Sequence, residues 1–309
     1  MNPRRTSSIV LVSFLMTLLL PPSAKTGELP AGVKTLRVNG YDMAYMESGS
    51  GRPLVMVHGA MSDYRSWAAQ MEPFGRTNRA VAVSLRHYFP ERWDGKGGSF
   101  SWQQHVADMT TFIAGLNAGA VDLIGHSRGG LVAFELVRAQ PSLVRSLVLA
   151  EPGLVLDERG FGTSLEGKTA ARTAADERAA RVKAVLKRFD EGDIDGGLEI
   201  FAEAVGGPGS WKNFAEAQRQ IYRDNAWTIK GTEQEQRRAV SCQELGALGM
   251  PVLLVGGERS PARYGEILSV IEPCLKKRER VTIPNASHGM YRMNPSAFNA
   301  SVAQFIASH

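Results

Sequence analysis

The fold of this chain is constrained most tightly by residues 125–129, which read Gly-His-Ser-Arg-Gly. They lie between a short apolar run at 121–124 and a stretch of helical spacing that Pro141 ends. A serine on a sharp strand-to-helix turn projects its hydroxyl above a sheet, and the glycines two positions away avoid clashes in so tight a turn. The pattern therefore predicts a nucleophilic Ser127 at the end of a buried strand, beside the positive end of a helix.

Short apolar runs alternate with helical stretches along most of the chain. A hairpin around Asn39-Gly40 is predicted first, and buried strands are predicted at 53–57, 79–84, 121–124, 145–150, 251–255 and 279–283. Such alternation indicates an α/β protein with a mostly parallel sheet and helices on both faces. Between about 157 and 247 no strand is convincing, and charged, alanine-rich segments such as 170–190 and 212–224 predict an inserted helical block.

The amino-terminal segment is typical of a secretory signal. Arg4 and Arg5 precede an apolar run at 9–20, and small residues follow up to Ala24. The run is shorter than the roughly 20 residues that span a bilayer. We expect a signal peptide over 1–24 and export to a periplasm or outside the cell, with an uncleaved anchor as the alternative.

Export would permit a disulfide bond. The sequence has two cysteines, Cys242 and Cys274, so a single pairing is possible. A bridge between them and two buried free thiols are both open interpretations.

The composition excludes several classes of protein. Hydrophobic residues make up 43% and charged residues 22% of the chain, which is ordinary for a globular protein and rules out disorder. The net charge of +5 is spread along the sequence without a basic stripe, so nucleic-acid binding is not expected. After signal removal, no membrane insertion is expected either. Nothing in the sequence indicates an oligomeric state.

A serine needs a base to become a nucleophile, and His288 is the best candidate. It lies in a loop directly after the last predicted strand, at the same edge of the sheet as Ser127. An oxyanion intermediate needs backbone N–H donors. We expect one from Arg128, directly after the nucleophile, and one from Ala60 or Met61, in the loop after the strand at 53–57.

Three segments together resemble the α/β-hydrolase family over residues 34–309. They read HGAM at 58–61, GHSRGG at 125–130 and ASHGM at 286–290, and they occur in the family's order. The resemblance implies an eight-stranded, mostly parallel sheet with a helical lid inserted after the sixth strand. The reaction that it implies needs neither a metal nor a cofactor.

The resemblance also implies a division of the chain. After the signal peptide, residues 25–152 and 248–309 would form the hydrolase core. Residues 153–247 would form the helical lid.

The chain departs from the family at the position of the triad acid. Members usually carry an Asp after the seventh strand, in a Gly-x-x-Asp pattern, but here the pattern ends at Ser260, which cannot bear the charge. Some members place the acid after the sixth strand, where Glu151 lies. We therefore predict Glu151 as the acid, with Glu258 as the alternative. The chain order Ser127, Glu151, His288 keeps the family's sequence of serine, acid and histidine.

These residues predict a serine hydrolase that cleaves a small carboxylic ester or lactone through an acyl-enzyme. A serine nucleophile argues against epoxide hydrolases and dehalogenases, which in this family use an aspartate. Acyl transfer and C–C bond hydrolysis with the same residues stay open, as does a ligand-binding protein of low turnover, which the missing Asp suggests. His87, Trp211 and Trp227 are predicted to line the substrate pocket.

Overall fold

The computed structural model describes residues 29–98, 100–157, 165–233 and 235–309, with residues 165–175 described by their helical backbone. The predicted signal peptide, residues 1–24, lies outside these ranges. No helix within them is long and apolar enough to cross a membrane.

Within the described ranges, ten strands form one large sheet and one small pair. In chain order they are β1 (Lys34–Val38), β2 (Tyr41–Ser48), β3 (Pro53–Val57), β4 (Arg79–Val83), β5 (Val121–His126), β6 (Val144–Ala150), β7 (Val155–Leu156), β8 (Ala239–Val240), β9 (Val252–Gly257) and β10 (Arg278–Ile283). The large sheet has eight strands in the order β1-β2-β4-β3-β5-β6-β9-β10, and β7 pairs with β8. Strand β2 runs antiparallel to β1 and β4, and the other neighbours are parallel. The predicted eight-stranded, mostly parallel sheet is confirmed.

Helices cover both faces of the sheet. In chain order they are α1 (Ala68–Gly75), α2 (Trp102–Gly115), α3 (Arg128–Ala139), α4 (Leu165–Asp190), α5 (Ile194–Gly206), α6 (Ser210–Asn213), α7 (Glu216–Asp224), α8 (Thr228–Gly231), α9 (Cys242–Gly246), α10 (Ala262–Ile271), α11 (Met290–Met293) and α12 (Pro295–Ser308). Short 3₁₀ turns lie at Tyr64–Trp67, Pro141–Leu143 and Glu272–Cys274.

Alternation along the buried strands divides the core into two layers. In β3, Val55 and Val57 join the cluster that contains α2 and α3, whereas Leu54 and Met56 join the cluster that contains α1 and α12. Successive side chains of a strand point to opposite faces, so a strand with both faces covered reads as a continuous apolar run. This burial on both faces is why the apolar runs in the sequence predict the strands.

The chain between β6 and β9 is largely helical. Helices α4 to α8 build a third apolar cluster of their own, and Met61, from the loop after β3, belongs to it. The helices therefore pack beside the carboxyl ends of the strands. The short pairing of β7 with β8 was not predicted, because two-residue strands carry no periodicity.

A disulfide joins Cys242 to Cys274, with 5.1 Å between their Cα atoms. Cys242 begins α9, and Cys274 ends the 3₁₀ turn after α10. The bond therefore links α9, where the chain leaves the helical segment, to the turn that follows α10. The interpretation of two free thiols is wrong.

A buried ion pair connects the helical segment to α3. Arg128 donates from Nη1 and Nη2 to the two carboxylate oxygens of Glu235, at 2.8 and 2.6 Å, and both side chains are 1% exposed. Arg128 Nη2 also donates to Nδ1 of His105 at 3.1 Å. Burial raises the pKa of Glu235, but the charges of Arg128 and Arg237 outweigh it and lower the value to about 2. Glu235 is therefore ionised at neutral pH and is the counter-ion of Arg128.

We predict that Glu235→Gln lowers the free energy of unfolding by about 3–5 kcal/mol, because it leaves the Arg128 charge buried without its partner. The measurement is urea unfolding at neutral pH. Glu72→Gln is the matched control, since Glu72 and Arg76 form an ion pair whose side chains are 73% and 71% exposed. That control should lose less than about 1 kcal/mol. Equal losses in the two variants would contradict a structural role for the buried pair.

Candidate active site

Ser127 lies at the turn from β5 to α3, in a strained backbone conformation. Its φ of 50° and ψ of −115° are unusual for a residue with a side chain. Its N–H donates to the carbonyl of Ala150 at 3.0 Å, and its carbonyl accepts from the N–H of Gly153 at 2.7 Å. These bonds hold the turn against β6, so the strain is retained at the nucleophile position.

The two flanking glycines are required by close packing. A Cβ atom on Gly125 would lie 2.4 Å from the carbonyl oxygen of Gly129, and one on Gly129 would lie 2.3 Å from that of Val57. Neither neighbour is a flexible side chain that could move away. The sequence prediction of a turn too tight for side chains at these positions agrees with the structure.

His288 and Glu151 meet at the carboxyl edge of the sheet. Nδ1 of His288 lies 2.6 Å from Oε2 of Glu151, and both side chains are buried. The other carboxylate oxygen, Oε1, accepts the N–H of Gly257 at 2.8 Å. With its Nδ1 proton donated to Glu151, the imidazole presents Nε2 as the basic nitrogen.

Glu258, the alternative acid, lies elsewhere. Its side chain is exposed, and its Oε2 accepts the N–H of Asn285 at 2.7 Å. It caps the loop before His288 instead of contacting the imidazole. The alternative assignment of the acid to Glu258 is therefore wrong.

Two aromatic neighbours fix the imidazole of His288. The ring of Tyr264 stacks on it with centroids 4.1 Å apart and planes 13° apart. Nε2 of His126, beside the nucleophile, bonds to the carbonyl oxygen of His288 at 2.7 Å. Sequence reasoning missed both roles. His126 could have been found from its place in the Gly-x-Ser turn, whereas Tyr264 lies in an ordinary predicted helix and carries no such signal.

Burial and positive charge keep His288 neutral. Burial lowers the pKa of His288 well below 6.5, and the charges of Arg263, Arg181 and Arg292 lower it further. Burial raises the pKa of Glu151, and the hydrogen bond from Gly257 opposes that shift. A neutral imidazole can accept a proton, as a general base must.

Two of the expected oxyanion donors, Arg128 and Ala60, line the cavity that contains Ser127. Arg128 begins α3, so its N–H has no partner within the helix. Ala60 lines the same cavity as Ser127, and Met61, with φ of 52°, anchors its side chain among the helices. Across the described chain, no backbone hydrogen bond uses the N–H of Arg128, Ala60 or Met61. These groups are free to bind developing negative charge.

A cavity of about 90 Å³ opens at Ser127. Five of the residues that line it are arginines: Arg128, Arg178, Arg181, Arg237 and Arg263. Most of the others are apolar or small: Ala60, Pro152, Gly153, Leu154, Val155, Val182, Phe201, Val205, Ile229, Thr232, Tyr264 and Ile267. No group of three or more His, Cys, Asp or Glu side chains in the described ranges could hold a metal ion.

The three predicted pocket residues lie away from this cavity, so those predictions are wrong. His87 stacks on Trp93 with centroids 4.7 Å apart, and its Nδ1 lies 2.9 Å from Glu91. Trp211 and Trp227 pack within or against the apolar cluster of the helical segment. These two tryptophans therefore pack in the interior of the segment, whereas Phe201 of the same segment lines the cavity.

The chain is similar to known hydrolases. The model of the family described as "Alpha/beta hydrolase family" matches residues 54–301. The soluble epoxide hydrolase of Corynebacterium sp. (strain C12) is 30% identical over 120 residues, 38% of this chain and 41% of that protein. The (E)-2-((N-methylformamido)methylene)succinate hydrolase of Acinetobacter baylyi is 27% identical over 121 residues, 38% of this chain and 44% of that protein.

A solved esterase shows the same fold. The esterase EaEST from Exiguobacterium antarcticum has a TM-score of 0.70 at 19% identity, and the match covers 89% of this chain and 98% of the esterase. The chain spans less than half the length of the two curated relatives above.

We predict that the imidazole of His288 titrates well below pH 6.5, because protonation would bury a cation beside Arg263, Arg181 and Arg292. NMR of histidine-labelled protein over an acid titration measures this value. Arg263→Gln removes one of the three charges and should raise the pKa of His288. A wild-type pKa at or above 6.5 would contradict this account of the site's electrostatics.

Proposed function

Because this chain belongs to the α/β-hydrolase family, we propose that it hydrolyses a carboxylic ester or lactone through an acyl-enzyme formed on Ser127. One observation carries the proposal. Nδ1 of His288 lies 2.6 Å from the buried carboxylate of Glu151, at the same edge of the sheet as the strained serine. This contact supports Glu151 as the acid that the Gly-x-x-Asp position lacks.

In the proposed first half-reaction, Oγ of Ser127 attacks the ester carbonyl while Nε2 of His288 takes its proton. The N–H groups of Arg128 and of Ala60 or Met61 bind the oxyanion, and each such donor contributes roughly 10²–10³-fold in rate. The ester C–O bond then breaks, and the imidazolium returns the proton to the leaving alcohol. Glu151 fixes the tautomer of the neutral imidazole and stabilises the imidazolium that forms.

In the second half-reaction, His288 takes a proton from water, and the hydroxide attacks the acyl carbon. The acid is released, and Ser127 regains its proton. Every proton passes through Nε2 of His288, so the whole cycle depends on the neutral imidazole.

The identity of the nucleophile favours esters over epoxides, although curated relatives include epoxide hydrolases. A carboxylate that opens an epoxide forms an ester, which water can cleave. A serine hydroxyl that opens an epoxide would form an ether, which water at this site could not cleave. Ser127 therefore suits acyl transfer to water.

We propose that α4 to α8 act as the lid of this site. Val182 and Phe201 of these helices line the cavity at Ser127, and their cluster includes Met61, one of the expected oxyanion donors. The helices would shape the acyl pocket and limit access of water.

We predict that Glu151→Gln lowers kcat for a short ester by roughly 10²–10⁴-fold, because the amide neither holds the tautomer nor stabilises the imidazolium. Glu258→Gln is the matched control and should retain wild-type kcat, since Glu258 contacts Asn285 and not His288. Thermal unfolding of both variants checks that they are folded. Unchanged kcat in folded Glu151→Gln would contradict the assignment of the acid.

We propose that the chain is exported with loss of residues 1–24, which the disulfide between Cys242 and Cys274 supports, because such bonds persist in oxidising compartments. Amino-terminal sequencing of protein purified from the exported fraction tests it. The expected first residue is Lys25. Recovery with an intact amino terminus would contradict cleavage.

A further inference from the structure

The cavity at Ser127 carries more positive than negative charge. Five arginines line it. Arg128 and Arg237 share one carboxylate, that of Glu235, with the Arg237 Nε–Oε2 distance at 3.1 Å. Arg263 pairs with Glu177 at 3.1 Å. The remaining two arginines are on α4.

Arg178 and Arg181 are three residues apart on α4 and so lie on the same face of that helix. In the described part of the chain, neither guanidinium lies within 4.0 Å of a carboxylate. The Nε atom of each is buried without a hydrogen-bond partner. Arg181 also lies over the ring of Phe201, with its Cζ atom 5.8 Å from the centroid.

Two partly buried guanidinium groups with no described carboxylate within 4.0 Å are costly in a folded protein. Burial is the main cause that lowers the pKa values of both side chains. The charge of Arg128 lowers that of Arg178 further, and the charge of Arg263 lowers that of Arg181, whereas Glu235 and Glu177 oppose the shifts. An anion placed between them would relieve that cost. A guanidinium presents parallel N–H donors that match the two oxygens of a carboxylate.

The volume of the cavity limits the size of the ligand that bears the anionic group. About 90 Å³ is far below the roughly 300–1,000 Å³ of sites that hold drug-sized ligands. A short chain that bears both an ester carbonyl and a carboxylate fits this space better than a long acyl chain. The arginines and Ser127 line one cavity, so one small molecule can contact both.

We propose that Arg178 and Arg181 bind a carboxylate of the substrate, so that the enzyme hydrolyses monoesters of short dicarboxylic acids. The inference rests on the proposed ester hydrolysis. The arginines take no part in bond making: the ester C–O bond breaks at Ser127, and the alcohol leaves with the proton from His288. Their role is to select the charged acyl group and to orient its carbonyl toward the oxyanion donors.

The test compares monoethyl succinate with ethyl 4-oxopentanoate, a neutral ester of similar length, by release of ethanol. Wild-type kcat/KM should favour the charged ester. In the Arg178→Gln/Arg181→Gln variant, kcat/KM for monoethyl succinate should fall roughly 10- to 100-fold, as expected for loss of charged hydrogen bonds. The ratio of kcat/KM for the charged ester to that for the neutral ester should fall by this factor, because any effect of Arg181 on the pKa of His288 changes both esters alike.

Arg188→Gln is the matched control, because Arg188 is on the same helix and pairs with Glu191 and Asp193 outside the cavity. It should leave both esters unaffected. A second measurement is independent of turnover: calorimetric binding of succinate to Ser127→Ala, with and without the two arginine substitutions. Binding should disappear when both arginines are replaced.

The results distinguish failure of the proposed carboxylate site from failure of the proposed ester hydrolysis. Equal wild-type rates on the two esters, or a preference that survives the double substitution, would overturn the carboxylate site and leave ester hydrolysis intact. Hydrolysis of neither ester, with succinate binding that needs both arginines, would contradict the proposed reaction and support the anion site. Succinate binding that is unchanged by the double substitution would overturn the anion site by itself.

Discussion

The packing of the turn between β5 and α3 determines the rest of the site. Gly125 and Gly129 have no room for a side chain, so α3 starts close against β3 and β5. That closeness forces Ser127 to φ of 50° and leaves its hydroxyl at the rim of the cavity. Met61 and Glu151, which follow β3 and β6, also have positive φ values. Such residues cost about 1–3 kcal/mol each and concentrate at functional sites.

The large buried sheet can hold these conformations because its hydrogen bonds continue past the strands. Ser127 N–H bonds to Ala150, and Glu151 N–H bonds to Val255. Ser127 and Glu151 are therefore each tied to the next strand. The sheet thus fixes the positions of these two residues relative to one another.

Much of this could be predicted from local sequence. Strands buried on both faces give apolar runs, and Gly-x-Ser-x-Gly marks a turn that few other structures require. The partner of His288 needed the family resemblance, because Glu151 precedes it by 137 residues. The Arg128–Glu235 pair and the stacking of Tyr264 join distant segments without any spacing rule. The pocket prediction failed because Trp211 and Trp227 fill the core of the helical segment, whereas Arg178 and Arg181 of α4 line the cavity.

The arginines connect the electrostatics of the site with its chemistry. Arg181 and Arg263 help to keep His288 neutral before reaction, but they also oppose the imidazolium that forms during it. A bound anion would offset their charge at the moment when His288 becomes positive. Substrate recognition and activation of the base would then depend on the same guanidinium groups.

The central claim is that Ser127 is an activated nucleophile, and reaction with a fluorophosphonate tests it most directly. Intact-mass measurement of the wild-type protein and of Ser127→Ala, treated in parallel, gives the number of adducts. We expect one adduct on the wild type, on the peptide that contains Ser127, and none on the variant. A folded wild-type protein that stays unmodified, or an adduct that persists in Ser127→Ala, would contradict it.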